Sequence, residues 1–267
     1  MPELPEVNQK KLHFDEHALD QEIAKVDISD VSYILKNISA QEFQSLLSGR
    51  YFTSTYRRGK YLFAKLDNEK HMLFHFGMSG KFEYYTPPQT PPKHERFAFE
   101  FSNGFRLGFN CPRKFAQIHY VENLDNFIKT KGLGEDALII SQEKFLELME
   151  GKKGSIKGFL LNQKHLAGMG NLYADEVCWQ IGIHPASTIT ALSTPIREQV
   201  FTKMQEILQE AITNKANYNT YSEEWMWNHR VKDGHCPRDG QEWAIDKVAG
   251  RTTYYCPQCQ DLLISVP

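Results

Sequence analysis

Tyr61-Leu62-Phe63-Ala64-Lys65-Leu66-Asp67-Asn68-Glu69-Lys70-His71-Met72-Leu73-Phe74-His75-Phe76 decides the fold of the first half of the chain. Two short apolar and aromatic runs, Tyr61 to Leu66 and Met72 to Phe76, flank an Asp67-Asn68 pair that favours a tight turn, so the stretch reads as a β-hairpin. The pattern continues on both sides. Arg50 to Tyr56 precedes it; Lys81 to Tyr85, Arg96 to Phe101 and Phe105 to Phe109 follow, with Asn103-Gly104 as a second hairpin turn. Helical spacing is confined to the residues up to about Ala18 and to a brief segment near Ala40 to Leu47. An antiparallel sandwich or barrel-like pair of sheets is therefore expected, with the Pro-rich stretch Thr86 to Pro92 as an exposed loop.

After Tyr120 the pattern changes. Glu122 to Leu138, with Gly132 and Gly134, reads as a passage from sheet to helices. Ser141 to Met149 is a helix candidate capped by Ser141, and Thr194 to Asn214 is the clearest helix, with Val200, Met204, Ile207, Leu208, Ala211 and Ile212 on one core face. The fold class expected is a multidomain α+β protein: a β-sandwich domain over 1–123, a linker over 124–140, a helical domain over 141–217 and a small terminal module over 218–267.

The chain has 267 residues and 41% hydrophobic content, enough for a substantial core. No run approaches the roughly 18 apolar residues of a membrane span, and no basic-then-apolar leader precedes Glu3, so a cytoplasmic protein that does not engage membranes is expected. Of five cysteines, Cys236, Cys256 and Cys259 cluster near the end and read as a metal knuckle, not a disulfide framework. A net charge of −2 argues against a broad basic surface. Local cationic clusters remain (Arg57-Arg58 with Lys60, Arg113-Lys114, Lys152-Lys153 with Lys157), which are either parts of a groove for an anionic polymer or solvated faces.

Two stretches carry chemistry. In Met1-Pro2-Glu3-Leu4-Pro5-Glu6-Val7 the small Pro2 permits removal of Met1, which would leave a secondary amine able to attack carbonyl-like carbons, with the Glu3 and Glu6 carboxylates nearby for proton transfer. Alternatively, the prolines and glutamates simply open a helix. In Gly168-Met169-Gly170-Asn171, a tight turn leads into a helix, so the amides and Asn171 face outward as a phosphate seat or act as an ordinary cap.

Five motifs in order, namely Pro2 to Val7, His75-Phe76-Gly77-Met78-Ser79-Gly80, Pro112-Arg113-Lys114-Phe115, Gly168 to Ala174 and Arg251 to Cys259, resemble the bacterial formamidopyrimidine-DNA glycosylases across nearly the whole chain. The resemblance implies an N-terminal β-sandwich, a helix–two-turns–helix domain and a C-terminal β-hairpin zinc finger, acting as a monomer on damaged double-stranded DNA of the nucleoid. It implies excision of oxidised purines followed by β- and δ-elimination. By resemblance Pro2 is the nucleophile, Glu3 handles protons and Glu6 orients the helix start. Lys60, Asn171 and Arg251 would clasp phosphates around the lesion. Met78, Arg113 and Phe115 would fill the gap left by the flipped nucleotide, although Met78 and Phe115 otherwise suit a sheet core. Lys157 matches a lysine that faces the DNA.

Three departures from the family pattern stand out. The first Cys-x2-Cys pair reads Cys236-Pro237-Arg238-Asp239, so one structural zinc ion would be held by Cys236, Asp239, Cys256 and Cys259, or with His235 in place of Asp239, or is lost. Tyr218 to His235 is short where relatives carry a loop over the flipped base, and its Trp225 and Trp227 either stack on a base or close the core. Asn110-Cys111 replaces a common acidic residue before Pro112. An oxidised-pyrimidine preference, as in the endonuclease VIII group, and a silent module for damaged DNA are the alternative functions.

Overall fold

The computed structural model describes residues 1–265, so the terminal-module expectation for 266–267 lies outside the described residues. The chain divides into two compact units, Met1–Gly132 and Leu133–Pro267.

In the first unit, helix α1 (Leu4–Ala18) is followed by β1 (Ile23–Ile28), α2 (Ala40–Leu47), β2 (Phe52–Arg58), β3 (Tyr61–Leu66), β4 (His71–His75), β5 (Lys81–Tyr85), β6 (Glu95–Phe101), β7 (Arg106–Asn110), β8 (Gln117–Val121) and α3 (Leu124–Lys131). The strands form two antiparallel four-stranded sheets, ordered β1-β6-β7-β5 and β2-β3-β4-β8. The opening hairpin is β3–β4, with Tyr61 opposite His75 and Lys65 opposite His71. Its turn is longer than a two-residue Asp67-Asn68 loop: Leu66 N donates to Lys70 O at 2.7 Å, and Glu69 takes the left-handed conformation.

Both sheets contribute aromatic and aliphatic side chains to one core, including Phe52, Leu62 and Phe74 from one and Phe82, Phe97 and Phe109 from the other. Phe14 of α1 sits among them, with ring centroids 5.0, 5.8 and 5.1 Å from Phe52, Phe74 and Phe82. Val7, Phe14 and Ala18 recur at helical spacing on this face, which pins α1 to the sandwich. Strands β1 and β8 are absent from the reading of the sequence: β1 is interrupted by Lys25 and Asp27, and β8 by His119. The stretch read as a linker from sheet to helices contains α3. Asn123 caps it by accepting from Asn126 N at 2.8 Å, Gly132 ends it with a left-handed φ, and Leu124, Phe127 and Ile128 pack on Phe63, Leu73 and Val121.

The second unit contains β9 (Glu135–Asp136), α4 (Gln142–Met149), α5 (Ile156–Leu161), β10 (Leu166–Ala167), α6 (Asn171–Gln180), α7 (Thr194–Thr213), α8 (Met226–His229), β11 (Ala244–Val248) and β12 (Arg251–Tyr255). Ser141 caps α4 by accepting from Lys144 N, and α7 buries Val200, Met204, Ile207, Leu208 and Ala211, as its spacing predicts. Strands β11 and β12 form an antiparallel hairpin in which Val248 faces Arg251 across Ala249 and Gly250, both with positive φ. That is the backbone a two-residue hairpin turn requires. No helix among the described residues is long and apolar enough to cross a membrane.

Candidate functional site

Pro2 leads directly into the start of α1. Glu3 is the N-cap, 5% exposed, and its backbone N–H donates to Glu6 Oε2 at 2.7 Å. Glu6 thus satisfies a donor that helix geometry leaves open, while its negative charge complements the positive helix end. The two carboxylates flank one turn of backbone immediately after Pro2.

Lys60 closes the β2–β3 hairpin beside Gly59, whose φ of 55° suits the turn and whose carbonyl accepts from Arg57 Nη1 at 3.1 Å. Lys60 is 6% exposed. Nearby His75 is pushed down to about 4 by burial, aided by the charge of Lys60, and so is neutral at physiological pH.

Met78, Arg113 and Phe115 come from two loops that the backbone forces together. A Cβ on Gly77 would lie 2.5 Å from the Phe115 carbonyl group, so only glycine, which also has a φ of 60°, permits this approach. Arg113 Nη1 lies 3.7 Å from Met78 Sδ. The second loop is braced from below: Arg96 donates to the carbonyls of Cys111 at 2.8 Å and Pro112 at 3.1 Å, and Lys114 pairs with Asp30, whose carboxyl it holds down at about 2. Phe115 is 60% exposed and Met78 45% exposed, so neither belongs to the sheet core. The Asn110-Cys111 departure has a local explanation, since Asn110 Nδ2 donates to Glu83 at 2.6 Å and Cys111 is buried in the core.

In the second unit, Asn171 opens α6, and Gln163 holds the glycine turn before it. The Gln163 side chain donates to Met169 O at 2.8 Å and accepts from Gly168 N at 3.0 Å. Asn171 Nδ2 donates to Thr252 O on the hairpin at 2.9 Å, and Asn171 Oδ1 has no partner among the described residues. Arg251, one residue before this contact, is exposed.

Lys157, which by resemblance would face the DNA, is enclosed by side chains of its own unit. It is 0% exposed, its Nζ 2.6 Å from Asp175 Oδ1 and donating to Thr253 Oγ1 at 2.6 Å and Thr252 O at 3.3 Å. Arg230 Nη2 completes the network 2.7 Å from Asp175 Oδ2 and stacks over Tyr254, 4.5 Å from the ring centroid. Burial pushes the Lys157 amine down and the Asp175 carboxyl up, and their mutual attraction opposes both shifts. Turned inward, Lys157 shares with Arg230 the neutralisation of the charge that Asp175 buries.

Gln163, Asp175 and Arg230 are absent from the residues singled out in the sequence. Asp175 and its neighbour Glu176 did leave a trace, as two acids inside an otherwise apolar helix. Glu176 accepts from the N–H groups of Met226 at 3.2 Å and Trp227 at 3.1 Å, which anchors the segment bearing the tryptophans. Trp225 is buried against Tyr221, and the Trp227 ring lies 4.4 Å from that of Tyr218.

Cys236, Asp239, Cys256 and Cys259 each bring a ligand atom within 4.8 Å of the others. Cys236 Sγ and Cys259 Sγ are 3.8 Å apart, close to the roughly 3.8 Å spanned by two thiolates on a tetrahedral zinc with 2.3 Å bonds. Asp239 Oδ2 lies 3.1 Å from Cys259 Sγ and 3.2 Å from Cys256 Sγ, and the Gln241 N–H holds its carboxyl at about 2, hence ionised. This donor set fits a metal ion. His235 instead pairs through its backbone with Glu242 and is outside the cluster.

The formamidopyrimidine-DNA glycosylase N-terminal domain matches residues 1–118, and the H2TH domain of formamidopyrimidine-DNA glycosylase matches residues 133–222. The chain is 32% identical to the Arabidopsis thaliana formamidopyrimidine-DNA glycosylase, over 98% of this chain and 71% of the relative. It is 31% identical to that of Mycoplasma mobile, over 98% of this chain and 100% of the relative. The Lactococcus lactis enzyme in complex with FAPY-dG containing DNA aligns with a TM-score of 0.85 at 26% identity, covering 97% of this chain and 99% of that one. The same enzyme bound non-covalently to DNA containing an AP site gives 0.86 at 27% identity, with the same coverage. Matched in both domains and along nearly all of its length, the chain belongs to the formamidopyrimidine-DNA glycosylase family of DNA-repair enzymes.

Proposed function

We propose that this chain is a bifunctional glycosylase and abasic-site lyase that removes oxidised purines, such as 8-oxoguanine and formamidopyrimidines, from duplex DNA. The observation that carries this reading is the exposed trio of Met78, Arg113 and Phe115, held rigidly on two locked loops. Flipping a nucleotide costs a few kcal/mol and leaves a gap in the stack. Phe115 would wedge between bases, Arg113 would hydrogen-bond the orphaned partner, and Met78 would fill the remaining space.

With Met1 removed, the Pro2 nitrogen would attack C1′ of the flipped nucleotide, and the C1′–base bond would break with the electron pair leaving on the base. Glu3 would protonate O4′ as the sugar ring opens to the iminium. Loss of a C2′ proton then expels the 3′ phosphate, a second elimination expels the 5′ phosphate, and water releases Pro2. Asn171, Arg251 and Lys60 would bind the phosphates around the lesion. Cys236, Asp239, Cys256 and Cys259 would hold one zinc ion, which stiffens the hairpin that carries Arg251. The work is that of a monomer in the cytoplasm.

The test is excision from matched duplexes carrying 8-oxoguanine or an oxidised pyrimidine. Release of the purine at least about ten-fold faster, or 1.4 kcal/mol in barrier, is expected. Faster release of the pyrimidine would reject the lesion class while leaving the lyase chemistry standing.

A further inference from the structure

A second cluster of metal-binding groups lies on α1 itself. His13 and His17 are four residues apart, hence neighbours on one helix face, and Glu16 lies beside them. One ring nitrogen from each histidine and one carboxylate oxygen fall within 4.8 Å of one another. Two nitrogens bound to one zinc at 2.0–2.1 Å are at most about 4.2 Å apart, so a small side-chain rotation closes the site.

The rings are already ordered. His17 stacks on Tyr84 of β5, with centroids 4.1 Å apart and planes 3° from parallel, and His13 meets His17 edge-on at 4.6 Å. Stacking covers the face of the His17 ring and leaves its nitrogens at the edge, where His17 Nε2 lies 3.7 Å from Glu16 Oε2. Both histidines are half-buried and Glu16 is exposed, so a cation can reach the cluster from solvent.

We propose that His13, Glu16 and His17 form a second site for a divalent d-block cation, one that prefers imidazole over thiolate. Two histidines and a carboxylate leave a fourth position for water, and nickel, copper and zinc all accept such a set. From Leu4 to His13 the helix rises roughly 14 Å, which is too far for the cation to touch the reacting atoms at Pro2. Its role is to clamp the last turns of the helix that carries the nucleophile at its other end.

The test titrates Ni2+ into zinc-replete full-length protein and into His13→Gln and His17→Gln variants, by calorimetry in a non-chelating buffer. His13 is not the ring stacked on Tyr84, so its variant leaves that stack in place and loses only the edge contact with His17 besides the metal ligand. The wild type binds one Ni2+ equivalent that each variant loses or holds at least about ten-fold more weakly, and saturating Ni2+ raises the melting temperature of the wild type alone. An isotherm unchanged in His13→Gln, or no Ni2+ uptake by the wild type, overturns the proposal.

Discussion

Asn171 and Lys157 converge on one backbone oxygen: Asn171 Nδ2 and Lys157 Nζ both donate to Thr252 O, at 2.9 and 3.3 Å. Thr252 follows Arg251, so the side chains of two helices set the position of the hairpin strand beside Arg251. Lys157 is thereby a positioning residue. Its substitution by Met is expected to destabilise the protein by about 3–5 kcal/mol, because the Asp175 charge stays buried and one partner is lost. The double variant Lys157→Met with Asp175→Leu should cost less than the sum of the two single changes. A Lys157→Met protein of unchanged melting temperature that had lost only DNA affinity would show that this lysine contacts DNA instead.

Arg251 is expected to act on salt dependence. Removal of one phosphate contact lowers the slope of log affinity against log salt by about 0.9. Arg251→Ala, compared with the wild type on one lesion duplex at several salt concentrations, should show that change at an unaltered melting temperature. An identical slope would remove Arg251 from the phosphate clasp.

Phe115→Ala separates wedge from core. At 60% exposure, Phe115 contributes little to folding, and the variant should melt within about 0.5 kcal/mol of the wild type. Excision from a fully paired duplex should nonetheless fall roughly ten-fold or more, since stacking on a base is worth about 1–3 kcal/mol. A large loss of stability with normal excision would return Phe115 to the packing role.

Glu176 links stability to pH. Burial raises its carboxyl from the ordinary 4.5 to about 7, so the folded chain holds this proton more tightly than the unfolded chain. The stabilisation is complete below pH 4.5 and disappears as pH rises through 7, a swing of about 3 kcal/mol. Chemical denaturation of wild type and Glu176→Gln across pH 4.5 to 8 should show the wild type losing ground by that order. Parallel curves would mean that the carboxyl titrates normally.

The sandwich and the long α7 were legible in the sequence because each follows a strong local rule, alternating aromatics or an apolar face at helical spacing; the clustered cysteines marked a metal knuckle, and the hairpin came from the resemblance. The motif residues Met78, Arg113 and Phe115 were legible as positions, but their meeting was not. It depends on Gly77 passing against the Phe115 carbonyl, a contact between loops 38 residues apart in the chain. Lys157 misled for a related reason. Its place in the resemblance set it toward the DNA, and only the fold shows that Asp175 and Thr253 bind its amine, with Arg230 on the same carboxylate. Helix α3 was hidden by its length, since eight residues followed by Gly132 and Gly134 look like a linker until Asn123 and the apolar Phe127 face are seen in place.

The central claim, that the chain works through a covalent link at Pro2, is tested most directly by borohydride trapping. Duplex DNA carrying an abasic site or 8-oxoguanine is mixed with the protein or with Pro2→Gly, and reduction converts any iminium into a permanent amine bond. A covalent complex on both substrates with the wild type, and its loss with Pro2→Gly, is the predicted result. Undiminished trapping by Pro2→Gly, or no trapping by a wild type shown by intact mass to have lost Met1 and still to bind the DNA, would contradict it.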